Sequence, residues 1–363
     1  VRPDHIRRVA RWALAIAMAI AVAVVGVHGM AEARARKAKG APPPATHAPK
    51  KPAVVAPKPP PEPVAPPADA GPALAPSAEE AFGASASASS ESTEPPAPRP
   101  ELPRGGRELF PTYRLVGFCG TPGAPRLGRL AGNLATKSKA LVAQADKYSR
   151  GRKVLPVFEL IAVVVQGEPG LDGKSRRRVP HSIVDEYLRA ARSAKGLLLL
   201  NIQPGHSDFL TEAKHYEKYL REPDVGLALD PEWAMKGKQK PGVSFGRTTG
   251  AELNAVAEYL SSIVRSNDLP EKALVFHQVN GYVVKDEAAL VPHPGVVLIK
   301  SIDGLGPKGS KIKTYNFLVK SMPASVHAGF KLFFDEDTVN GKRLMTPEEV
   351  LALSPEPEYV MYE

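Results

Sequence analysis

Val225-Gly-Leu-Ala-Leu-Asp-Pro-Glu-Trp233 alternates bulky apolar residues with small and then acidic ones. Successive side chains of a strand leave opposite faces, so the bulky residues take one side while Asp230 and Glu232 share the other, with Trp233 just beyond. Two carboxyls roughly 6.5 Å apart along one face shift each other's proton affinity. Such a pair is equipment for acid/base chemistry. Acids that cap the next element or pair with a lysine would look the same, so the rest of the chain has to separate the two.

Outward from this stretch, seven further short apolar runs have the length and composition of strands. They lie at 115–119, 154–160, 197–203, 273–278, 296–303, 330–335 and 359–362, with 225–232 fourth in order. Helical patterns fall between them at 127–148, 182–194, 208–220, 249–266, 311–320 and 346–353. The last opens Thr346-Pro-Glu-Glu, a capped helix start. Only a weak helix, 285–290, joins the fifth and sixth strands, and none follows the eighth before Glu363. Strict alternation of strands with crossover helices predicts a parallel sheet. Eight units in about 250 residues predict a single (β/α)8 barrel of the TIM type, class α/β, over residues 104–363. A doubly wound α/β sheet is the alternative.

Ahead of this domain the composition changes twice. Arg7, Arg8 and Arg11 precede the apolar run 13–27, and Ala31-Glu-Ala33 and Ala33-Arg-Ala35 follow it, the charged, apolar, small-residue order of a secretory signal. The run is shorter than the ~20 residues of a spanning helix. This predicts a cleaved signal peptide over 1–35, with an uncleaved membrane anchor as the alternative. Residues 36–103 are dominated by proline, alanine and serine and cannot bury enough apolar surface to offset their ordering entropy, which predicts a disordered spacer. The expected location is outside the cell or at its wall. Cys119 is the single cysteine, so no intrachain disulfide forms, and its apolar strand suits a buried small hydrophobe. Much of the formal charge of +10 belongs to the leader. With few aromatics among the basic residues and no recognisable binding motif, nucleic acid is not an expected partner.

A barrel of this kind carries its functional site at the C-terminal ends of its strands. Where bulky apolar residues mark the helix-facing side, the opposite parity points inward. Val154, Pro156 and Phe158 facing out leave Glu159 in, and Leu198, Leu200 and Ile202 facing out leave Asn201 and Gln203 in. The fourth strand offers Asp230 and Glu232, the fifth His277, and the seventh Asp335 and then Asp337, with Glu336 turned away. On the sixth, either Lys300 or the Ser301/Asp303 set points in. Structural alternatives stand beside these. Glu159 pairs with Lys300 in one, His277 is a hydrogen-bonded core residue in another, and Trp233, the only tryptophan outside the leader, packs instead of stacking on a sugar. Asn201 and Gln203 suit hydrogen bonds to sugar hydroxyls or to a neighbouring carboxylate. No second histidine stands at ligand spacing, so neither a metal nor another cofactor is expected. Three basic loops, Lys174-Ser-Arg-Arg-Arg178, Lys236-Gly-Lys-Gln-Lys240 and Lys308-Gly-Ser-Lys-Ile-Lys313, all follow strands. They predict a positive rim that attracts an anionic polymer.

The inward Asp-x-Glu of 225–233 resembles the signature strand of the family-eighteen chitinases and the Asp-x-Glu of the family-twenty-five muramidases. That resemblance implies Glu232 as the acid protonating a glycosidic oxygen and Asp230 as its partner. The chitinase pattern has further acids where this chain has Val225 and Ala228, and an aromatic where it has Pro231. Through Leu115-Val-Gly-Phe, Leu155-Pro-Val-Phe-Glu159, Leu197-Leu-Leu-Leu-Asn-Ile-Gln-Pro-Gly205 and Gly329-Phe-Lys-Leu-Phe-Phe334, the folded region is also similar to a group of secreted actinobacterial proteins. This second resemblance implies export and a single domain but no reaction.

The expectation is a secreted, glycoside hydrolase-like barrel acting on a cell-envelope or environmental polysaccharide. Asp335 or Glu159 is expected as second carboxylate, and Trp233, Asn201, Gln203, His277, Lys300 and Asp303 line the substrate site. The alternatives are a non-catalytic envelope protein that holds glycan in the barrel mouth, and a phosphodiesterase that clamps phosphates with its lysines and arginines.

Overall fold

Short runs of leucine, valine and isoleucine end at glycine, proline or acidic residues, and each becomes one stave of a closed sheet. The computed structural model describes residues 98–363; the leader and nearly all of the proline-rich segment lie outside the described residues. The staves are β1 (Tyr113–Gly120), β2 (Lys153–Val165), β3 (Leu197–Ile202), β4 (Val225–Leu229), β5 (Lys272–Gln278), β6 (Val296–Ile302), β7 (His327–Leu332) and β8 (Tyr359–Tyr362). All neighbouring pairs are parallel, and β1 bonds to both β2 and β8, which closes the barrel. The fold is the expected (β/α)8 barrel, and the open doubly wound sheet is excluded by that closure.

The connecting helices are α1 (Leu134–Ala145), α2 (His181–Ser193), α3 (Phe209–His215), α4 (Gly250–Ser266), α5 (Lys308–Leu318) and α6 (Pro347–Leu351). Sequence chemistry fixes their starts. Thr249 and Glu252 form a reciprocal capping box at the head of α4, and Thr346 and Glu349 do the same for α6, each satisfying backbone donors that a helix start leaves free. Between β5 and β6, where the helical pattern is weak, only a 3-10 turn forms at Glu287–Ala289.

Two apolar cores result. The larger lies between strands and helices and takes Val154, Phe158, Leu198, Leu200, Leu227 and Phe330. The smaller fills the barrel itself with Leu115, Leu155, Val157, Leu199, Val275, Ile299 and Met361, closed below by Leu102, Leu109 and Tyr113. The packed region therefore begins before residue 104: Leu102 is 3% exposed, and Arg99 bonds Asp268 with Nε to Oδ2 at 2.7 Å.

Two strand ends depart from the simple pattern. β2 runs past the barrel rim, shifts register between Ile161 and Val163, and pairs antiparallel with a short strand, Arg176–Arg178, so that a hairpin stands beside the mouth. β4 stops at Leu229, short of the expected 232. Pro231 has no N–H to extend the ladder, and the chain turns into a 3-10 segment, Pro231–Trp233, which carries Glu232.

Candidate active site

Every stave delivers an inward polar side chain to the C-terminal end of the barrel, and most of them join one hydrogen-bonded network. At its centre Asn201 donates from Nδ2 to Glu159 Oε1 at 3.0 Å and to Asp230 Oδ1 at 2.9 Å. Gln203 donates from Nε2 to Asp230 Oδ2 at 3.0 Å, and its own Oε1 accepts from the Val165 amide. Tyr359 donates its hydroxyl to Glu159 Oε2. His277 bonds Asp303 Oδ2 through Nδ1 at 2.8 Å, with Nε2 3.2 Å from Glu159 Oε1 but off the hydrogen-bond axis. Ser301 donates to Asp303 Oδ1 at 2.7 Å. Lys331 Nζ lies 3.3 Å from Asp303 Oδ2 and 2.6 Å from Glu363 Oε2, and the Cys119 thiol stands 3.5 Å from that same glutamate oxygen.

The electrostatics sort these groups. Burial opposes charge on Glu159, but His277, Lys331 and the Tyr359 hydroxyl outweigh it and hold the carboxyl below its ordinary range. Burial likewise opposes charge on Asp303, yet His277, Lys331 and Ser301 bring it down to about 2. His277 is desolvated, but Asp303 and Glu159 raise it well above the ordinary histidine range, which favours the charged ring between these two carboxylates. Lys331 stays charged against burial because Glu363 and Asp303 face it.

Glu232 is the exception. It is 8% exposed, its Oε2 has no hydrogen-bond partner among the described residues, and burial together with the charges of Asp230 and Asp303 pushes its carboxyl well above the ordinary range. Burial lifts Asp230 too. Asp230 nevertheless has two amide donors that Glu232 lacks, so Glu232 is the member of the pair that keeps the proton. The turn beneath it is tightly held: the Gly246 amide donates to the Glu232 carbonyl at 2.6 Å, and a Cβ at Gly246 would sit 2.3 Å from the Ala234 carbonyl oxygen. Only glycine fits there. Glu232, Trp233, Phe245, Val279, Leu305 and Phe333 wall a cleft whose floor is the network, so an apolar collar surrounds an acidic base. Asn201 Oδ1 is a further buried atom at this floor without a partner among the described residues.

Of the residues expected at the site, Glu159, Asn201, Gln203, Asp230, Glu232, Trp233 and Asp303 line one cleft, and His277 ties its floor together. Two do not belong. Lys300 points outward under α5, where Nζ bonds Glu287 Oε1 at 2.7 Å and the Leu318 carbonyl at 2.7 Å, so the Ser301/Asp303 set takes the inward side and Glu159 has no ion pair with Lys300. Asp335 is exposed and outside the cleft, while Glu336, expected to turn away, lines it. The reason is that β7 stops at Leu332, so strand parity no longer governs 334–337. Asp337 in turn is a buried anchor that accepts from the Phe333 and Gly306 amides and pairs with Lys311.

Trp233 packs on Met235 and Val165 and is 7% exposed, so its ring is largely covered where an open stacking surface was one expectation. The basic rim is thinner than expected. Arg176 and Arg178 both bind the buried Glu212, Lys236 pairs with Glu252, Lys308 with Glu349, and Lys311 is buried. Lys331, Tyr359, Glu363 and Cys119 are site residues missing from the expected set. Parity alone would have found the first three, since Phe330 and Leu332 facing out leave Lys331 in, and Val360 and Tyr362 facing out leave Tyr359 and Glu363 in.

No known family matches the chain, and no curated protein is similar to it. Among solved structures, a GH18 chitinase from Pseudoalteromonas aurantia is similar at 12% sequence identity and a TM-score of 0.33, over 69% of this chain and 93% of that one. At that level the likeness carries nothing about the reaction.

Proposed function

We propose that this protein is a glycoside hydrolase that acts outside the cell on a cell-envelope or environmental polysaccharide, with Glu232 as the general acid. The supporting observation is the setting of Glu232: a buried carboxyl with one oxygen unpartnered among the described residues, raised well above its ordinary range by burial and by Asp230, in a cleft at the C-terminal end of the barrel. A glycosidic oxygen is a poor leaving group until it is protonated, and an acid whose pKa is raised by burial and a neighbouring carboxylate can deliver that proton near neutrality. Asp230, held by Asn201 and Gln203, keeps a second negative charge beside it. The network below, with Glu159 and Asp303 ionised, stabilises positive charge as it develops at the sugar carbon. Export is supported by the leader's composition alone.

The test is Glu232→Gln, which keeps shape and neutrality but has no acidic proton. Release of reducing ends from chitin, peptidoglycan or a panel of bacterial and plant glycans should fall by about 10²–10⁴-fold with the thermal midpoint unchanged. Full activity in that variant removes Glu232 from the role. One observation favours a binding-only reading: Glu159, Asp230 and Asp303 are all engaged by internal donors. That reading expects the wild-type domain to bind peptidoglycan without releasing reducing ends.

A further inference from the structure

Six acids line the cleft, and they divide by what holds them. Glu159 is engaged by Asn201, Tyr359 and His277, Asp230 by Asn201 and Gln203, Asp303 by His277, Ser301 and Lys331, and Glu363 by Lys331. Glu232 and Glu336 alone have no hydrogen bond to another side chain and no ion pair among the described residues. Glu232 is the buried one with an unpartnered oxygen. Glu336 is half-buried on the far wall, in the turn after β7.

That turn is rigidly mounted. The Asp337 amide donates to the Phe333 carbonyl at 3.1 Å, and the Asp337 carboxylate accepts from the Phe333 amide at 2.9 Å and the Gly306 amide at 3.1 Å, with Lys311 Nζ 2.9 Å away. Anchoring on both sides of Glu336 is what a reacting group needs from its scaffold.

We infer that Glu336 is the second carboxylate of the reaction, the base that takes a proton from the attacking water. This rests on the hydrolase reading above. In the step, the Glu232 proton passes to the glycosidic oxygen and the bond from that oxygen to the anomeric carbon breaks. A water oxygen bonds the anomeric carbon from the opposite face, and the water's proton goes to Glu336. Solvent then returns one proton from Glu336 to Glu232.

Glu232 and Glu336 stand past the ends of β4 and β7, which are three staves apart on the barrel. A base that activates water implies a single displacement, for which the two carboxyls take the wider spacing (roughly 6.5–9.5 Å) of inverting enzymes and not the roughly 5 Å of retaining ones. Burial, with Glu363, Asp335 and Asp337 nearby, also raises Glu336 and makes it a stronger base near neutrality.

The experiment assays Glu336→Ala, Glu336→Gln and Glu232→Gln on whichever of chitin, peptidoglycan or the glycan panel the wild type cuts, and on the 2,4-dinitrophenyl glycoside of the same sugar. The dinitrophenolate leaves without a proton. Both Glu336 variants should lose about 10²–10⁴-fold on both substrates. Glu232→Gln should lose as much on the polysaccharide but little on the dinitrophenyl glycoside. Nuclear magnetic resonance of the first-formed product should show inverted anomeric configuration. Glu336 variants within tenfold of an active wild type, a retained configuration, or the loss appearing in Asp335→Asn in their place would overturn the assignment while leaving the hydrolase reading intact. A folded wild type that cuts none of these substrates overturns both.

Discussion

The two ends of the barrel interior are built from the same eight strands in the same inward parity, yet they are different materials. Below, Leu115, Leu155, Val157, Leu199, Val275 and Ile299 fill the space with side chains that carry no polar atom, and Leu102 and Leu109 seal them from water. Above, on the very next inward positions, stand Glu159, Asn201, His277, Ser301 and Asp303. The lower half is stabilised by apolar area removed from water, on the order of 25 cal/mol per Å². The upper half holds charges whose desolvation each costs several kcal/mol unless geometry compensates. The lower layers let the upper ones exist: a dry, close-packed floor keeps the network's partners in register. A second contrast lies inside the upper half, where every acid but Glu232 and Glu336 is answered by a donor.

The largest effect should come from removing the cation that faces two of those acids. In Lys331→Met, Asp303 and Glu363 lose the Nζ at 3.3 and 2.6 Å, and a buried pair broken from one side costs about 3–5 kcal/mol. Urea unfolding at pH 7 measures this, and a loss below about 1 kcal/mol would mean that solvent reaches the network. In the floor, Leu199→Ala should cost about 2–5 kcal/mol through lost transfer energy and a cavity. That cost should be the same at pH 4 and pH 8, with the pH profile of any hydrolysis unmoved. A pH-dependent loss there would mean that the floor and the network are energetically coupled.

The barrel was readable because its signal is repeated eight times: each apolar run has a parity, and α4 and α6 announce themselves by Thr-x-x-Glu caps. Parity also placed Glu159, Asn201, Gln203, Asp230 and His277 on the inner face, since each lies within a regular strand or one residue past it. Beyond strand ends it gave no rule. Glu232 lies in the cleft as expected, though on a 3-10 turn and not on a strand, whereas Asp335 and Glu336 exchanged places because a turn pinned by Asp337 has no two-residue period. Lys300 was ambiguous for another reason. A lysine can point to the helix-facing side of a sheet if a carboxylate waits there, and Glu287, thirteen places earlier in a weakly helical connection, gave no hint of doing so. Nor could composition tell that Arg176 and Arg178 are answered by a buried Glu212 on α3.

The upper half should reveal itself by pH. Asp303, held at about 2, contributes stability that is present above the ordinary aspartate value of about 4 and is lost as pH falls through 2. The difference between these two values amounts to roughly 2–3 kcal/mol. His277 has the opposite sign: its raised value means a contribution complete below about 6.5 and lost as pH rises through the folded value. Glu232, raised as well, adds stability below about 4.3 that fades as pH climbs. Urea midpoints across pH 2–9 should therefore peak between about 4 and 6.5 and decline on both sides. A flat profile would place the network in water.

The smallest test reads one bond of that network. Ser301 donates to Asp303 Oδ1 at 2.7 Å, and the carboxylate's other oxygen is already shared by His277 and Lys331. Ser301→Ala removes a hydrogen bond to a charged acceptor, which costs about 1.5 kcal/mol, and nothing else at that position is large enough to leave a cavity. Because the hydroxyl favours the ionised form of Asp303, its loss should also move the acid limb of the stability curve upward. The variant should then be less stable than the wild type at pH 6, and the two should converge near pH 2, where Asp303 is half protonated even in the intact network. A difference of the same size at both pH values would mean that the serine is held there by packing, as a member of the floor that happens to carry an oxygen.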